Sequence, residues 1–317
     1  MKAIVYNQYG TPGVLEEQEL EIPALPPDRV LVQVHAAGVN PKDCLVRKGK
    51  FRLFTKKDFP KQAGYDFSGR VVEAGLRVDS VKPGDIVYGM LNGWKGASYA
   101  EYLVARPGEL SPMPDNLTFS QAAAVPLAAQ TALQALRDIG KIQGSHHVCI
   151  NGASGGVGTC AVQVAKAFGA RVTGICSSAN TELVTRLGAD HTLDYHSRNI
   201  LEQDRKFDIF FDVFGNFTFK AVKQVLKPKG IYISTIPSPA RFLKNLWHRI
   251  YPSGKKERLV VVKSKKQDLL FLKDLIEKEK LTPVVDKTFP IARALEAHTY
   301  VETKKARGKI VLSIMGS

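Results

Sequence analysis

Cysteine is scarce and scattered: Cys44, Cys149, Cys160 and Cys176 are single thiols in a chain of 317 residues, and no two form a C-x-x-C pair. That spacing supports neither a disulfide framework nor a structural zinc site. Cys149, Cys160 and Cys176 read most simply as small buried hydrophobes. No apolar run approaches the ~20 residues that cross a bilayer. The opening Met1-Lys2-Ala3-Ile4-Val5-Tyr6 reads as a first strand, without the basic start, apolar centre and cleavage site of a secretory signal. Cytoplasmic residence is therefore the expectation. Internal repeats and low-complexity linkers are missing as well. Acidic residues are in short supply, with 30 Asp and Glu against 45 Lys and Arg, a net charge of +15.

The excess charge is concentrated. Residues 42–61 hold eight Lys or Arg against Asp43 and Asp58, and residues 241–266 hold nine against Glu257 alone. Outside these two stretches the chain is close to neutral. Its 44% hydrophobic and 24% charged residues are ordinary for a globular protein, and its length suggests two domains.

The most informative stretch is His147-Val148-Cys149-Ile150-Asn151-Gly152-Ala153-Ser154-Gly155-Gly156-Val157-Gly158. A short apolar strand enters a glycine-rich turn, and Val157, Ala161, Val164, Ala165 and Phe168 follow at helical spacing. Glycines allow a tight turn close to a diphosphate, and the N–H groups at a helix start bind its charge. Strand and helix keep alternating afterwards: Arg171–Ile175, Thr181–Leu187, Asp208–Val213, Phe217–Leu226, Gly230–Thr235 and a last strand at Leu259–Val262. Such alternation predicts an α/β fold with a doubly wound parallel sheet. Residues 1–118 differ in character, with short strands at 30–35, 70–75, 86–89 and 98–104 punctuated by glycine and proline, which predicts a small β-barrel. Ser120 is a candidate N-cap for a helix running to Leu136. The tail beyond 266 should return to the first domain.

Taken together, the chain resembles the zinc-free medium-chain dehydrogenase/reductases, in the quinone oxidoreductase branch that includes enone and alkenal reductases. The likeness spans nearly the full length. It is carried by Gly38-Val39-Asn40-Pro41-Lys42-Asp43, Gly64-Tyr65-Asp66-Phe67-Ser68-Gly69, Lys82-Pro83-Gly84-Asp85, Gln130-Thr131-Ala132, the glycine turn, Leu187-Gly188-Ala189-Asp190 and Arg307-Gly308-Lys309-Ile310-Val311-Leu312. It implies a GroES-like β-barrel catalytic domain, residues 1–118 and 266–317, and a Rossmann NADP-binding domain, residues 119–265. Zinc-dependent relatives carry Cys after the third strand and His in a G-H-E motif. Here Asn40-Pro41 and Gly64-Tyr65-Asp66 stand in those places, the 91–97 connection has no room for a four-cysteine lobe, and Cys44 has no His or Cys at ligand spacing. The expectation is no zinc. Lacking a Lewis acid, the site favours acceptors already electrophilic, namely quinones or α,β-unsaturated carbonyls.

Past the glycines, the second strand ends in Ile175-Cys176-Ser177-Ser178-Ala179-Asn180, with no acid to repel a 2′-phosphate. That favours NADPH over NADH, although Ser177 and Ser178 are also ordinary turn formers and Arg198 would have to supply the positive charge. By resemblance, the cofactor contacts are Asn40, Pro41, Thr131, Ser154, Gly155, Gly156, Val157, Gly158, Ser177, Ser178, Asn180, Tyr195, Phe214, Gly215, Ile236, Pro237 and Lys309. Lys309 reads equally as a solvated basic end. Asn40 and Tyr65 are the candidate catalytic residues, Asn40 as a donor to a developing oxyanion. Leu45 stands where several relatives have lysine, and Lys42 faces away if its segment is extended, so the proton donor is unassigned. Asp66 and Asp85 read as scaffold.

Ala240–Tyr251 patterns as a basic amphipathic helix. With 42–61 it should surround the cleft mouth, either steering anionic ligands or touching an anionic membrane; a lid over the cleft is the simpler alternative. Nucleic acid fits less well, because no RNA-binding motif is present. The Leu259–Val262 edge suggests a homodimer. The competing class is a non-enzymatic NADPH-binding protein with a basic surface for membrane or RNA.

Overall fold

A computed structural model of the protein describes residues 1–55, 58–236 and 254–315. The chain divides into two units: residues 1–130, 263–278 and 283–317 form the first, and residues 131–262 and 279–282 the second.

In the first unit the strands are β1 (Lys2–Tyr6), β2 (Glu16–Glu19), β3 (Val30–Val39), β4 (Lys61–Gln62), β5 (Asp66–Ala74), β6 (Ile86–Met90), β7 (Tyr102–Ala105) and β8 (Leu110–Pro112). The helices α1 (Pro41–Arg47) and α2 (Phe119–Ala123) join them. β3 is the organising strand. Its first half pairs with β7, its whole length with β5, and its last four residues with the C-terminal β16 (Lys309–Ser313). Almost every residue of β3 is buried, so both of its faces are covered. One packs Ala36 against Ala123, Ala124 and Val311; the other places Ala37 and Val39 in a core with Ile4, Tyr6, Ile310 and Leu312.

The first boundary therefore falls at Gln130 instead of 118. The expected long helix from Ser120 is also interrupted. Thr118 is the N-cap, its hydroxyl accepting from the Gln121 N–H. The α-helix stops at Ala123, before Pro126 opens α3 (Pro126–Leu133). Proline has no N–H and its ring crowds the preceding turn, so a continuous helix cannot pass through it.

The second unit holds β9 (His147–Asn151), α4 (Gly156–Ala167), β10 (Arg171–Cys176), α5 (Thr181–Arg186), β11 (His191–Asp194), β12 (Phe207–Asp212), α6 (Phe219–Val222), β13 (Leu226–Ser234) and β14 (Lys256–Leu259). All six strands run parallel in the order β11-β10-β9-β12-β13-β14. This is the doubly wound dinucleotide-binding order, and its reversal point lies beside β9. Phe207, Phe210, Val222, Val225 and Tyr232 fill one core. The edge strand occupies 256–259, not 259–262. Glu257 and Leu259 are buried there while Val261, beyond the strand, is exposed, so the apolar run that suggested the strand mostly follows it.

After β14, α7 (Lys266–Glu277), β15 (Val285–Pro290) and α8 (Ala294–Glu302) lead to β16. All lie mainly in the first unit, returning the tail to it. The predicted amphipathic segment 240–251 and Pro237 lie outside the described residues.

Candidate functional site

In the second unit, Gly152 leaves β9 with φ +83°, a backbone region that favours glycine. The N–H groups of Gly152 and Ala153 donate to Ile175 O at 3.1 and 3.0 Å, and Gly155 N–H to Gly152 O at 3.1 Å. Gly155 caps α4 without a side-chain partner, leaving the first-turn N–H groups of Gly156, Val157 and Gly158 without a helical acceptor. A Cβ on Gly158 would lie 2.0 Å from Gly152 O, so this turn admits no side chain there. The residues suit a dinucleotide diphosphate: a helix N-terminus with its dipole and unbonded donors, approached closely because the side chains are missing.

Beyond the turn, Asn180 Nδ2 donates to Ser154 Oγ at 3.2 Å and Ser177 Oγ at 3.1 Å. Its Oδ1 is buried with no partner among the described residues. Ser178 and Tyr195 are exposed, and Tyr195 N–H donates to Cys176 O at 3.2 Å. Arg198 is exposed too.

Sequence reasoning missed the two polar residues that end the central strands. Asn151 Nδ2 donates to Asp212 Oδ1 and to Asn216 Oδ1, both at 2.7 Å. The buried Asp212 also accepts from Gly215 N–H at 2.7 Å, Phe217 N–H at 3.1 Å and the Tyr232 hydroxyl at 2.8 Å. This network fixes the Phe214-Gly215 turn at the reversal point, beside Ile236; both Phe214 and Ile236 are exposed. The signal was available: an aspartate closing the apolar run Ile209-Phe210-Phe211, followed by a Gly-Asn pair, is a local backbone clamp.

In the first unit the site is built on the start of α1. Asn40 is the N-cap and Pro41 occupies the first helical position, where its missing N–H costs nothing. Asp43 Oδ2 accepts from Asn40 N–H and from the Tyr99 hydroxyl, each at 2.8 Å. The Asn40 side chain turns inward: Nδ2 donates to Asp66 Oδ2 at 3.0 Å and weakly to Gly38 O at 3.4 Å, while Oδ1 accepts from Lys309 Nζ. Lys309 Nζ also reaches Val39 O at 3.2 Å and Asp66 Oδ2 at 3.4 Å, and Leu127 N–H donates to Asp66 Oδ1 at 3.0 Å. Lys309 is thus a buried partner of Asn40 and Asp66, not a solvated basic end. Asn40, expected as an oxyanion donor, has both amide hydrogens engaged. Burial pushes the Asp66 carboxyl up, against the pull of Lys309 and its hydrogen bonds.

Tyr65 donates its hydroxyl to Trp94 O at 2.9 Å, and burial raises it above the ordinary tyrosine value, a scaffold role. Lys42 is the residue that the extended reading misplaced. Because α1 begins at Pro41, Lys42 turns back: its Nζ lies 3.6 Å from the Tyr65 ring centroid and 3.0 Å from Gly93 O. Burial lowers its ammonium below the ordinary lysine value, although Asp43 and Asp66 pull the other way. The Asn-Pro pair, a helix-start signal, could have revealed this.

Cys44 does have a histidine neighbour, brought from α8. Its Sγ lies 3.5 Å from His298 Nδ1, and Arg47 Nε lies 3.3 Å from the same nitrogen. Arg47 is buried and paired with Glu302, so it does not contribute to a basic rim. Burial pushes the Cys44 thiol up to about 12 and holds His298 down at about 3. A protonated thiol and a histidine shared with a guanidinium are poor zinc ligands, and an ammonium occupies the space beside Asn40 and Asp66. Among the described residues no three His, Cys, Asp or Glu side chains form a metal-binding group. The remaining expected contacts are buried Thr131 and exposed Pro41. Asp85 accepts from Lys82 N–H within its turn at 2.9 Å.

A parallel sheet with this strand order and glycine turn defines a Rossmann-type dinucleotide-binding fold. Comparison with known proteins agrees. Residues 26–115 match the alcohol dehydrogenase GroES-like domain, and residues 187–312 match a family model described as zinc-binding dehydrogenase. The bovine (Bos taurus) protein "NAD(P)H oxidoreductase RTN4IP1, mitochondrial" is 36% identical over 356 residues, covering 99% of this chain and 89% of its own. The "NADPH-dependent alkenal/one oxidoreductase, chloroplastic" of Arabidopsis thaliana is 38% identical, covering 98% and 79%. A quinone oxidoreductase structure from Coxiella burnetii superposes with a TM-score of 0.91 at 31% identity, over 99% of each chain. The chain belongs to the medium-chain dehydrogenase/reductase family, in its quinone oxidoreductase-like branch. Its fold is the GroES-like domain plus a Rossmann unit.

Two outcomes follow from this geometry. Gly158→Ala should weaken binding of the reduced nicotinamide dinucleotide, followed by its fluorescence, at least about tenfold; unchanged affinity would remove the turn from the site. Burial, opposed by the hydrogen bonds from Tyr99 and Asn40, pushes Asp43 up to about 7 from 3.8, with Asp66 and Lys309 acting on it in opposite senses. The protonated form is the one the fold favours, so its stabilisation is present at acid pH and is lost as pH rises through about 7. Urea unfolding across pH should show this decline in the native protein and a flatter profile in Asp43→Asn. Parallel profiles would contradict it.

Proposed function

We propose that this chain is an NADPH-dependent oxidoreductase that reduces quinones or α,β-unsaturated carbonyls without zinc. The observation that carries the reading is the donor set of the first unit. Lys309, Asn40 and Asp66 satisfy one another and offer no ligand set for a Lewis acid, which favours an acceptor that is electrophilic through its own conjugation. The relatives named for alkenal/one and quinone reduction support the same class.

Bound NADPH would supply the hydride. The N–H groups of Gly156, Val157 and Gly158 hold its diphosphate, and Ser154, Ser177, Ser178 and Asn180 serve the adenosine ribose. Asn180 Nδ2 donates to the Ser154 and Ser177 oxygens, which leaves both hydroxyl hydrogens to donate to a 2′-phosphate. With no carboxylate at 177–180, nothing in that segment repels it.

In this reading Asn40 is a positioning residue that fixes the start of α1, and Lys42 is the candidate to supply positive charge or a proton to the reduced acceptor. Its lowered ammonium value makes a lysine a better acid near neutral pH.

The direct test is oxidation of NADPH and NADH, side by side, by a panel of quinones, alkenals, enones and saturated aldehydes. NADPH with conjugated acceptors should be preferred, and a chelator should change nothing. Turnover of saturated aldehydes alone, or a requirement for zinc, would overturn the reading. If Lys42 acts as proposed, turnover falls on the alkaline side below the ordinary lysine value of about 10.4, and Lys42→Met lowers kcat by about tenfold or more and removes that limb. An unchanged profile would exclude it.

Two contacts are proposed alongside. Pairing of two β14 edges would give a homodimer, and a monomeric mass at micromolar concentration would contradict that. Exposed Leu53 and Phe54 beside Lys50 and Arg52 suit an anionic bilayer surface; failure to co-sediment with anionic liposomes at low salt would end this idea.

A further inference from the structure

The second unit has a concave site at the end of its sheet opposite the glycine turn. β9, β10 and β12 begin there, at His147, Arg171 and Phe207. The five residues of β9, at about 3.3 Å each, put roughly 16 Å between the two ends. A cavity of about 430 Å³ lies there, lined among others by Lys166, Arg171, Lys206, Lys227, His146 and His147, with Asp190 as the single carboxylate of the lining.

The charges do not cancel. Asp190 accepts from Val172 N–H at 2.7 Å and from Lys166 Nζ at 3.0 Å, which occupies that carboxylate. Asp208, close behind, accepts from His147 N–H and Lys227 Nζ, both at 2.7 Å. Lys206 Nζ reaches only a carbonyl, Gln224 O, at 2.9 Å. Among the described residues no carboxylate pairs with Lys206, Arg171 or the neighbouring Arg205. His146 Nδ1 is buried without a partner. The surplus is felt by His147 and His191. Burial first, then Arg171, Arg205, His191 and Lys227, hold His147 down at about 4, and His191 is lowered by burial, Arg205 and Arg171.

Apart from Ala170 and the two imidazoles the lining is glycine, polar or charged, so charge dominates what it can hold. It offers cationic donors and a guanidinium, the chemistry that binds multiply charged oxyanions. Its volume falls within the range of small-ligand clefts, about 300–1,000 Å³.

We propose that this cavity is a second ligand site, separate from the dinucleotide turn, for a compact polyphosphate or phosphate ester held by Arg171 and Lys206. The proposal does not depend on which acceptor the protein reduces. It is tested by equilibrium dialysis of labelled inorganic pyrophosphate against the full chain saturated with NADPH. One site per chain is expected, weakened by salt. The double variant Arg171→Gln/Lys206→Gln, both exposed positions, should lose about tenfold or more in pyrophosphate affinity with NADPH affinity and circular dichroism unchanged. Absence of binding, displacement by NADPH, or unchanged binding in the variant would overturn it. A vesicle arm separates the sources. Sedimentation with phosphatidylcholine vesicles only when they contain phosphatidate, lost in the double variant, assigns the site to a lipid headgroup; pyrophosphate binding without sedimentation assigns it to a soluble phosphate.

Discussion

The buried Asp66 carboxylate is the constraint on which the arrangement of the first unit's proposed site depends. It holds three donors at once, from Leu127, Asn40 and Lys309, and those come from the first turn of α3, the N-cap of α1 just after β3, and the start of β16. An isolated carboxylate or ammonium could not be buried there, because each would forfeit several kcal/mol of hydration. Each is tolerated because the others complete its hydrogen bonds. The cluster therefore sets where β3 ends and α1 begins, which in turn aims Lys42 at the face of Tyr65 instead of outward.

The second unit uses the same device with a different purpose. Asp212 and Asn151 end two adjacent parallel strands and gather the backbone of the Phe214-Gly215 turn. A Cβ on Gly215 would meet Ile236 Cγ1 at 2.1 Å, so turn and neighbour fit only because glycine is there. The polar clamp fixes the backbone at the reversal point of the sheet, and in the proposed reading the glycine turn beside it holds the diphosphate.

Much of this was legible in the sequence because it depends on local rules. The glycine turn, the alternation of strands and helices and the return of the tail are written in periodicity and backbone preference. What escaped depends on residues distant in sequence. Lys309 could be placed only once β16 was paired with β3, and His298 met Cys44 only through the packing of α8. Lys42 escaped for a local reason, since its direction turns on whether the segment after Asn40-Pro41 is extended or helical, and the structure makes it a helix. The edge strand was displaced because Val260-Val261-Val262 is more apolar than Lys256-Glu257-Arg258, although the ladder to β13 uses the charged residues.

If the Asp66 cluster is what organises the active end of the first unit, its two charges must depend on each other. A double-mutant cycle on Lys309→Met and Asp66→Asn, read by unfolding free energy and by turnover of a conjugated acceptor, measures that dependence directly. Removing Lys309 alone should cost about 3–5 kcal/mol and most of the turnover, because it strands a buried carboxylate. Removing both should restore much of the stability. Additive losses in the double variant would show that the two charges do not act together and would contradict the account.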